Sequence, residues 1–211
     1  MDSNLSIQST NQTFLPGTRA GFHAGNRNNL TRGCMKLITA DKSLLLLVDF
    51  QQKLMPAIEQ SESILKNAAA LAHAARLLKV PVFATEQAPD RLGQTVTGLL
   101  EPQDHVLHKH HFSATLEVGF NPWLPPGRDV IIGGCEAHIC VLQTAVGLLT
   151  QGRKVYIVDD ALGSRDARNR QLAIERMVFN GAQRVTTEMV LFEWMRTSQH
   201  PNFKEIQALI K

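Results

Sequence analysis

The chain has 211 residues, 44% of them hydrophobic, which is enough for one substantial core and points to a single domain. No apolar run approaches the roughly 18 residues of a membrane-crossing helix, so no membrane partner is expected. The net charge of +3 resides in the first 40 residues, where Arg19, Arg27, Arg32 and Lys36 face only Asp2, and the balanced remainder argues against nucleic acid as a partner.

Residues 1–34 are rich in Asn, Ser, Thr, Gly and Arg and lack periodicity, so a disordered N-terminal extension is expected, with the folded domain over 35–211. The basic, acid-poor start is faintly like an organelle transit peptide. A dispensable extension ahead of a start at Met35 is the plainer expectation. "LLLLVD" (Leu44 to Asp49) is a continuous apolar run, the mark of a strand buried on both faces. Ile64, Ala68, Leu71, Ala75 and Leu78 step by four and three and predict a helix. "VPVFAT" (Val80 to Thr85), "HVLHK" (His105 to Lys109) and "DVIIGG" (Asp129 to Gly134) read as the second, third and fourth strands. A helix over Ala137 to Thr150 is stopped by Gly152. "KVYIVDD" (Lys154 to Asp160) is the fifth strand, followed by a helix over about 166–180 with Ser164 read as its cap. "AQRVTT" is the sixth strand, and Glu188 to Arg196 and Pro201 to Lys211 are helical in pattern. Apolar strands alternating with helices predict a three-layer α-β-α sandwich around a parallel six-stranded sheet, Rossmann-like in class.

Such folds build their sites beyond the carboxyl ends of the strands. Asp49 ends the first strand, Lys109 ends the third, and Cys140 lies in the first turn of the helix after the fourth. Asp49 is expected to have left the core. A helix N-terminus and a lysine would both favour a thiolate at Cys140, and Asp49 would act as general base and acid. With only three cysteines (Cys34, Cys135 and Cys140) there is no disulfide framework, and a reducing cytoplasm is the expected compartment. Cys135 sits beside Glu136, which would raise rather than lower a thiol pKa. His138 is too close in sequence to either cysteine to face it around a helix. Among His105, His108, His110 and His111, strand alternation would send the last two to opposite faces, so no metal is expected. Phe50, Phe112 and Trp194 are candidates for an aromatic pocket, and Gln51, Gln87 and Arg91 for substrate contacts.

"LLLLVDFQQKLMPAI", "TEQAPDRLG", "HKHHFSA" and "IIGGCEAHICVLQTAVGLLTQGRKVYIVDDALGSR" resemble the isochorismatase-like cysteine hydrolases, in order and spacing across residues 43–188. "HPNFKEIQALIK" is similar to the branch called isochorismatase domain-containing proteins. The resemblance implies a Cys-Asp-Lys triad at Cys140, Asp49 and Lys109, and a cis peptide at Cys135–Glu136 that aims amides at an oxyanion. It further implies a covalent thioester-type intermediate on a small-molecule amide, ester or related substrate, no cofactor, and a homo-oligomer. Metal-binding nicotinamidases follow the first Asp with a histidine-rich set. Here Phe50-Gln51-Gln52 follow, and the next histidine is His73. Two rival readings are a non-enzymatic oligomeric scaffold that keeps the pocket, and a vinyl ether hydrolase of isochorismatase type in which Asp49 is the acid and no thiol is needed.

Overall fold

A computed structural model describes Met1 and residues 36–211. The expected extension over 1–34, and the question of Met35, lie outside the described residues. Six strands form one parallel sheet in the order β3-β2-β1-β4-β5-β6: β1 (Ser43–Val48), β2 (Val82–Gln87), β3 (His105–Lys109), β4 (Asp129–Cys135), β5 (Val155–Gly163) and β6 (Gln183–Val185). The helices are α1 (Ser61–Leu77), α2 (Pro89–Leu92), α3 (Phe120–Trp123), α4 (Leu142–Thr150), α5 (Ala167–Phe179), α6 (Thr187–Met195) and α7 (Phe203–Ala208).

The strand period of two sorts β1 into two cores. Leu45 and Leu47 pack with Ile64, Ala68, Leu71 and Ala75 of α1, together with α6 and α7. Leu44, Leu46 and Val48 point the other way, onto α3, α4 and α5. Every residue of β1 is buried, as expected of a central strand of a parallel sheet covered on both faces. Among the described residues, no helix is long and apolar enough to cross a membrane.

Four local expectations are corrected. β2 starts at Val82 rather than Val80 because Pro81 has no N–H for the ladder, although its carbonyl still accepts from Leu45 N at 3.0 Å. The helix after β4 opens with one π-helical turn, Ala137–Val141, before α4 begins. β5 runs on to Gly163, pairing Leu162 with Gly134 and Gly163 with Cys135. The cap of α5 is Asp166, whose Oδ1 accepts Asn169 N at 2.8 Å, whereas Ser164 bonds His138 Nδ1 at 3.0 Å. Trp194 also lies away from any strand-end pocket: its Nε1 donates to Ser43 Oγ at 3.0 Å, at the amino end of β1.

Two glycines let the carboxyl edge close. A Cβ on Gly134 would stand 2.7 Å from Val48 Cβ and closer still to the Val48 carbonyl oxygen. A Cβ on Gly163 would meet Cys135 Sγ at 2.9 Å. Larger residues at either place would push β4 away from β1 or β5, and with it the segment that carries Cys140.

Candidate active site

β1 ends in a sharp turn. Asp49 has φ +55°, its N–H donates to Thr85 O at 3.1 Å, and its carbonyl accepts Gln51 N at 2.9 Å. Left-handed backbone is uncommon outside glycine, and Asp is one of the few side chains that tolerate it. The turn folds the carboxylate back under the strand ends. Asp49 therefore has not left the core as its charge led us to expect; it is fully buried. Its cost of burial is offset by partners: Oδ1 accepts Thr85 Oγ1 at 2.7 Å, and Oδ2 lies 2.8 Å from Lys109 Nζ.

Lys109, the last residue of β3, is equally buried. Its ammonium faces four oxygens: Asp49 Oδ2, Gln87 Oε1 at 2.7 Å, and the carbonyls of His111 and Phe112, both at 3.4 Å. An ammonium donates in three directions, and this cradle offers it acceptors without water.

Cys140 projects from the π turn toward this pair. It is 7% exposed, and its Sγ is 4.0 Å from Gln87 Oε1. Burial, and after it the Asp49 charge, push the thiol up to about 12 despite the opposing pull of Lys109. Burial and the Asp49 charge thus work against the resting thiolate that the sequence led us to expect. Burial likewise raises Asp49 above the usual carboxylate range, against Lys109 and Thr85. An acid raised by burial beside a protonated thiol is a pair between which a proton can pass.

The other expected residues fall into separate places. The Cys135–Glu136 peptide is cis. Cys135 is fully buried, and burial together with Asp49 and Glu136 holds its thiol protonated. Glu136 accepts Arg165 Nε at 2.9 Å and Arg165 N at 3.1 Å, tying the cis turn to the loop after β5. Phe50 is 1% exposed and belongs to the same buried core as Met55 and Ile58. Gln51 is buried with its carboxamide spent on backbone: Nε2 donates to Gln87 O (3.0 Å) and Gly93 O (2.6 Å), and Oε1 accepts Gln87 N (2.8 Å). Arg91 is exposed on α2, and Phe112 is exposed on the loop after β3. Of the expected substrate contacts, Gln87 alone brings a side-chain hydrogen bond to the trio, and Phe112 reaches it only through its carbonyl.

His110 and His111 lie in that loop, beyond the end of β3, so strand alternation does not apply to them. His108 Nε2 is 3.2 Å from Glu86 Oε2, and His111 Nδ1 is 2.9 Å from Glu117 Oε1. Among the described residues, no three His, Cys, Asp or Glu side chains are placed to hold one metal ion. The sequence reading missed Thr85, which the same strand-end rule would have reached at the close of "VPVFAT". It also missed Glu117, for which the sequence carries no signal.

A model of the isochorismatase domain matches residues 43–189. The chain is 40% identical over 174 residues to isochorismatase domain-containing protein 2 of Danio rerio, an alignment covering 80% of this chain and 86% of that protein. Among solved structures, MAR1 ribonuclease from Caenorhabditis elegans superposes with a TM-score of 0.78 at 35% identity, covering 83% of this chain and 92% of that one. YcaC from Pseudomonas aeruginosa, solved with hexane-2,5-diol and covalent acrylamide, gives 0.79 at 26% identity, also covering 83% and 92%.

Proposed function

The chain belongs to the isochorismatase family, and on that premise we propose that it is a cofactor-independent cysteine hydrolase of a small-molecule amide, ester or related C–N or C–O bond. The observation that carries this reading is the contact of Lys109 Nζ with Asp49 Oδ2 at 2.8 Å beneath the Cys140 thiol.

In this reading Asp49 takes the Cys140 proton as sulfur bonds to the substrate carbonyl carbon. Lys109 balances the negative charge that passes from sulfur to the carbonyl oxygen as that bond forms. In the same reading, amides of the Glu136–Cys140 segment receive the oxyanion. The tetrahedral centre collapses, the C–N or C–O bond breaks, and Asp49 returns the proton to the leaving group. Water, giving its proton to Asp49, then attacks the thioester. The C–S bond breaks, and the proton goes back to sulfur. Each proton leaves and returns through one carboxyl, which suits a group whose burial holds it above the ordinary range.

The test is intact-mass analysis of wild type, Cys140→Ala and Asp49→Asn mixed with pooled amides and esters. An acyl adduct is expected on wild type, decaying with product release, and absent from Cys140→Ala. Equal turnover by Cys140→Ala would end the reading. Two further arms belong in the panel. The name of the C. elegans neighbour calls for a short single-stranded RNA. The protonated thiol and the raised Asp49 favour, as a second reading, a vinyl ether hydrolase in which Asp49 is the acid, and turnover of a vinyl ether by Cys140→Ala would establish it. Silence of the whole panel favours a binding scaffold. The family resemblance also carries a homo-oligomer, which light scattering on the purified chain checks.

A further inference from the structure

Lys109 depends for two of its four oxygens on the carbonyls of residues 111 and 112, and for a third on the Gln87 carboxamide. The loop that supplies the carbonyls is exposed at His110, His111 and Phe112. Something must hold this exposed backbone in register with a buried ammonium.

A single oxygen does so. Glu117 Oε1 accepts His110 N at 2.6 Å, His111 N at 2.7 Å and His111 Nδ1 at 2.9 Å. In a trans peptide the C=O and N–H point in opposite directions. The unit joining His110 to His111 is therefore gripped from both sides. Its N–H goes to Glu117, and its C=O accepts Gln87 Nε2 at 2.8 Å. That last bond fixes the Gln87 amide so that Oε1 faces Lys109 Nζ at 2.7 Å, and the same Oε1 is 4.0 Å from Cys140 Sγ. The ammonium can only donate, so the amide has one orientation here. The segment is also pinned at its far end, where Ser113 Oγ donates to Gln143 O at 3.1 Å and Ala114 N to Thr144 Oγ1 at 3.0 Å.

We infer that Glu117 is a positioning residue for the thiol centre, acting through the 110–111 peptide and Gln87 to aim the Lys109 ammonium at Cys140. The inference rests on the hydrolase reading and deepens it. It needs an acceptor oxygen at this place, and the carboxylate, which carries no proton, serves every donor that converges there. Burial works against that charge, but the amides of His111 and His110 prevail and hold the carboxyl below its ordinary 4.5.

The experiment is the rate of Cys140 alkylation by iodoacetamide, followed by mass from pH 6 to 10, in wild type, Glu117→Ala, Glu117→Gln, Asp49→Asn and a surface control, Glu205→Ala. Thiol alkylation tracks the thiolate fraction, which Lys109 raises. Glu117→Ala is expected to slow Cys140 alkylation at pH 8 by about tenfold and to move its pH dependence up by about one unit, the two being the same change. Glu117→Gln, whose carbonyl oxygen can still accept from both amides, should recover most of the rate and serves if the alanine variant folds poorly. Glu205→Ala should match wild type. If Glu117→Ala and Glu117→Gln both keep the wild-type rate and pH dependence while Asp49→Asn changes them, Glu117 is structural only and the inference falls. If Asp49→Asn changes nothing either, the hydrolase reading falls with it.

Discussion

Lys109 Nζ and Asp49 Oδ2 stand 2.8 Å apart with neither side chain exposed to solvent. Two buried charges at this distance are mutually dependent: each makes the other's burial tolerable, and neither is tolerable alone. From that dependence the following outcomes are expected.

Removing one partner should cost more than removing both. Lys109→Met or Asp49→Asn alone should destabilise the fold by about 3–5 kcal/mol, because an unpaired buried charge or its proton must be accommodated. The double variant Asp49→Asn/Lys109→Met should recover a large part of that loss. Urea denaturation of the four proteins checks it. Additive losses would mean the pair is not coupled.

Thr85 supplies the second bond to the carboxylate. Thr85→Val keeps the shape and deletes the donor, so it should destabilise by about 1–3 kcal/mol and raise Asp49 further. Thr85→Ser should stay within about 1 kcal/mol of wild type. Thermal melts of the two variants side by side decide it.

The Cys140 thiol, pushed up to about 12, should titrate far above an ordinary cysteine. Between pH 7 and 10 its alkylation rate should climb about tenfold per unit with no plateau, because the thiolate fraction rises in that proportion below the pKa. A plateau below pH 9 would mean that a resting thiolate exists after all. A folded-state pKa above the unfolded one also has a thermodynamic sign. The native protein holds this proton more tightly, so the thiol's contribution is intact below about 9 and is lost as pH rises toward 12. Cys140→Ser should thus be less sensitive than wild type to denaturation in alkali.

Gly134 tests the edge on which the sulfur is carried. Gly134→Ala brings a methyl against Val48 and should cost about 3 kcal/mol or leave the chain insoluble, whereas Gly98→Ala, which meets nothing within 4 Å, should cost about 1 kcal/mol through its positive φ alone. Comparable losses at both positions would refute the steric account.

Much of this was legible in the residues themselves. The unbroken run Leu44–Val48 could only be a central strand, and the alternation of such runs with helical steps dictated the parallel sheet. The strand-end rule then drew Asp49, Lys109 and Cys140 to one edge. Protonation state was not legible. A charged residue after five apolar ones reads as an exit from the core, and only the turn at φ +55° shows that Asp49 doubles back into it. The same burial works against a charge on sulfur, in opposition to the neighbouring lysine. Nor could the sequence reveal Glu117. Its three bonds join residues seven and six positions earlier across an irregular loop, where no periodicity operates.

The parts of the pocket are delivered by β1, β3 and the segment after β4, and the sheet order puts β3 at the rim, held by β2 alone. A partly melted chain in which β3 has come away would leave the buried acid Asp49 with no counter-ion. The centre thus has its cation only when this edge strand has docked.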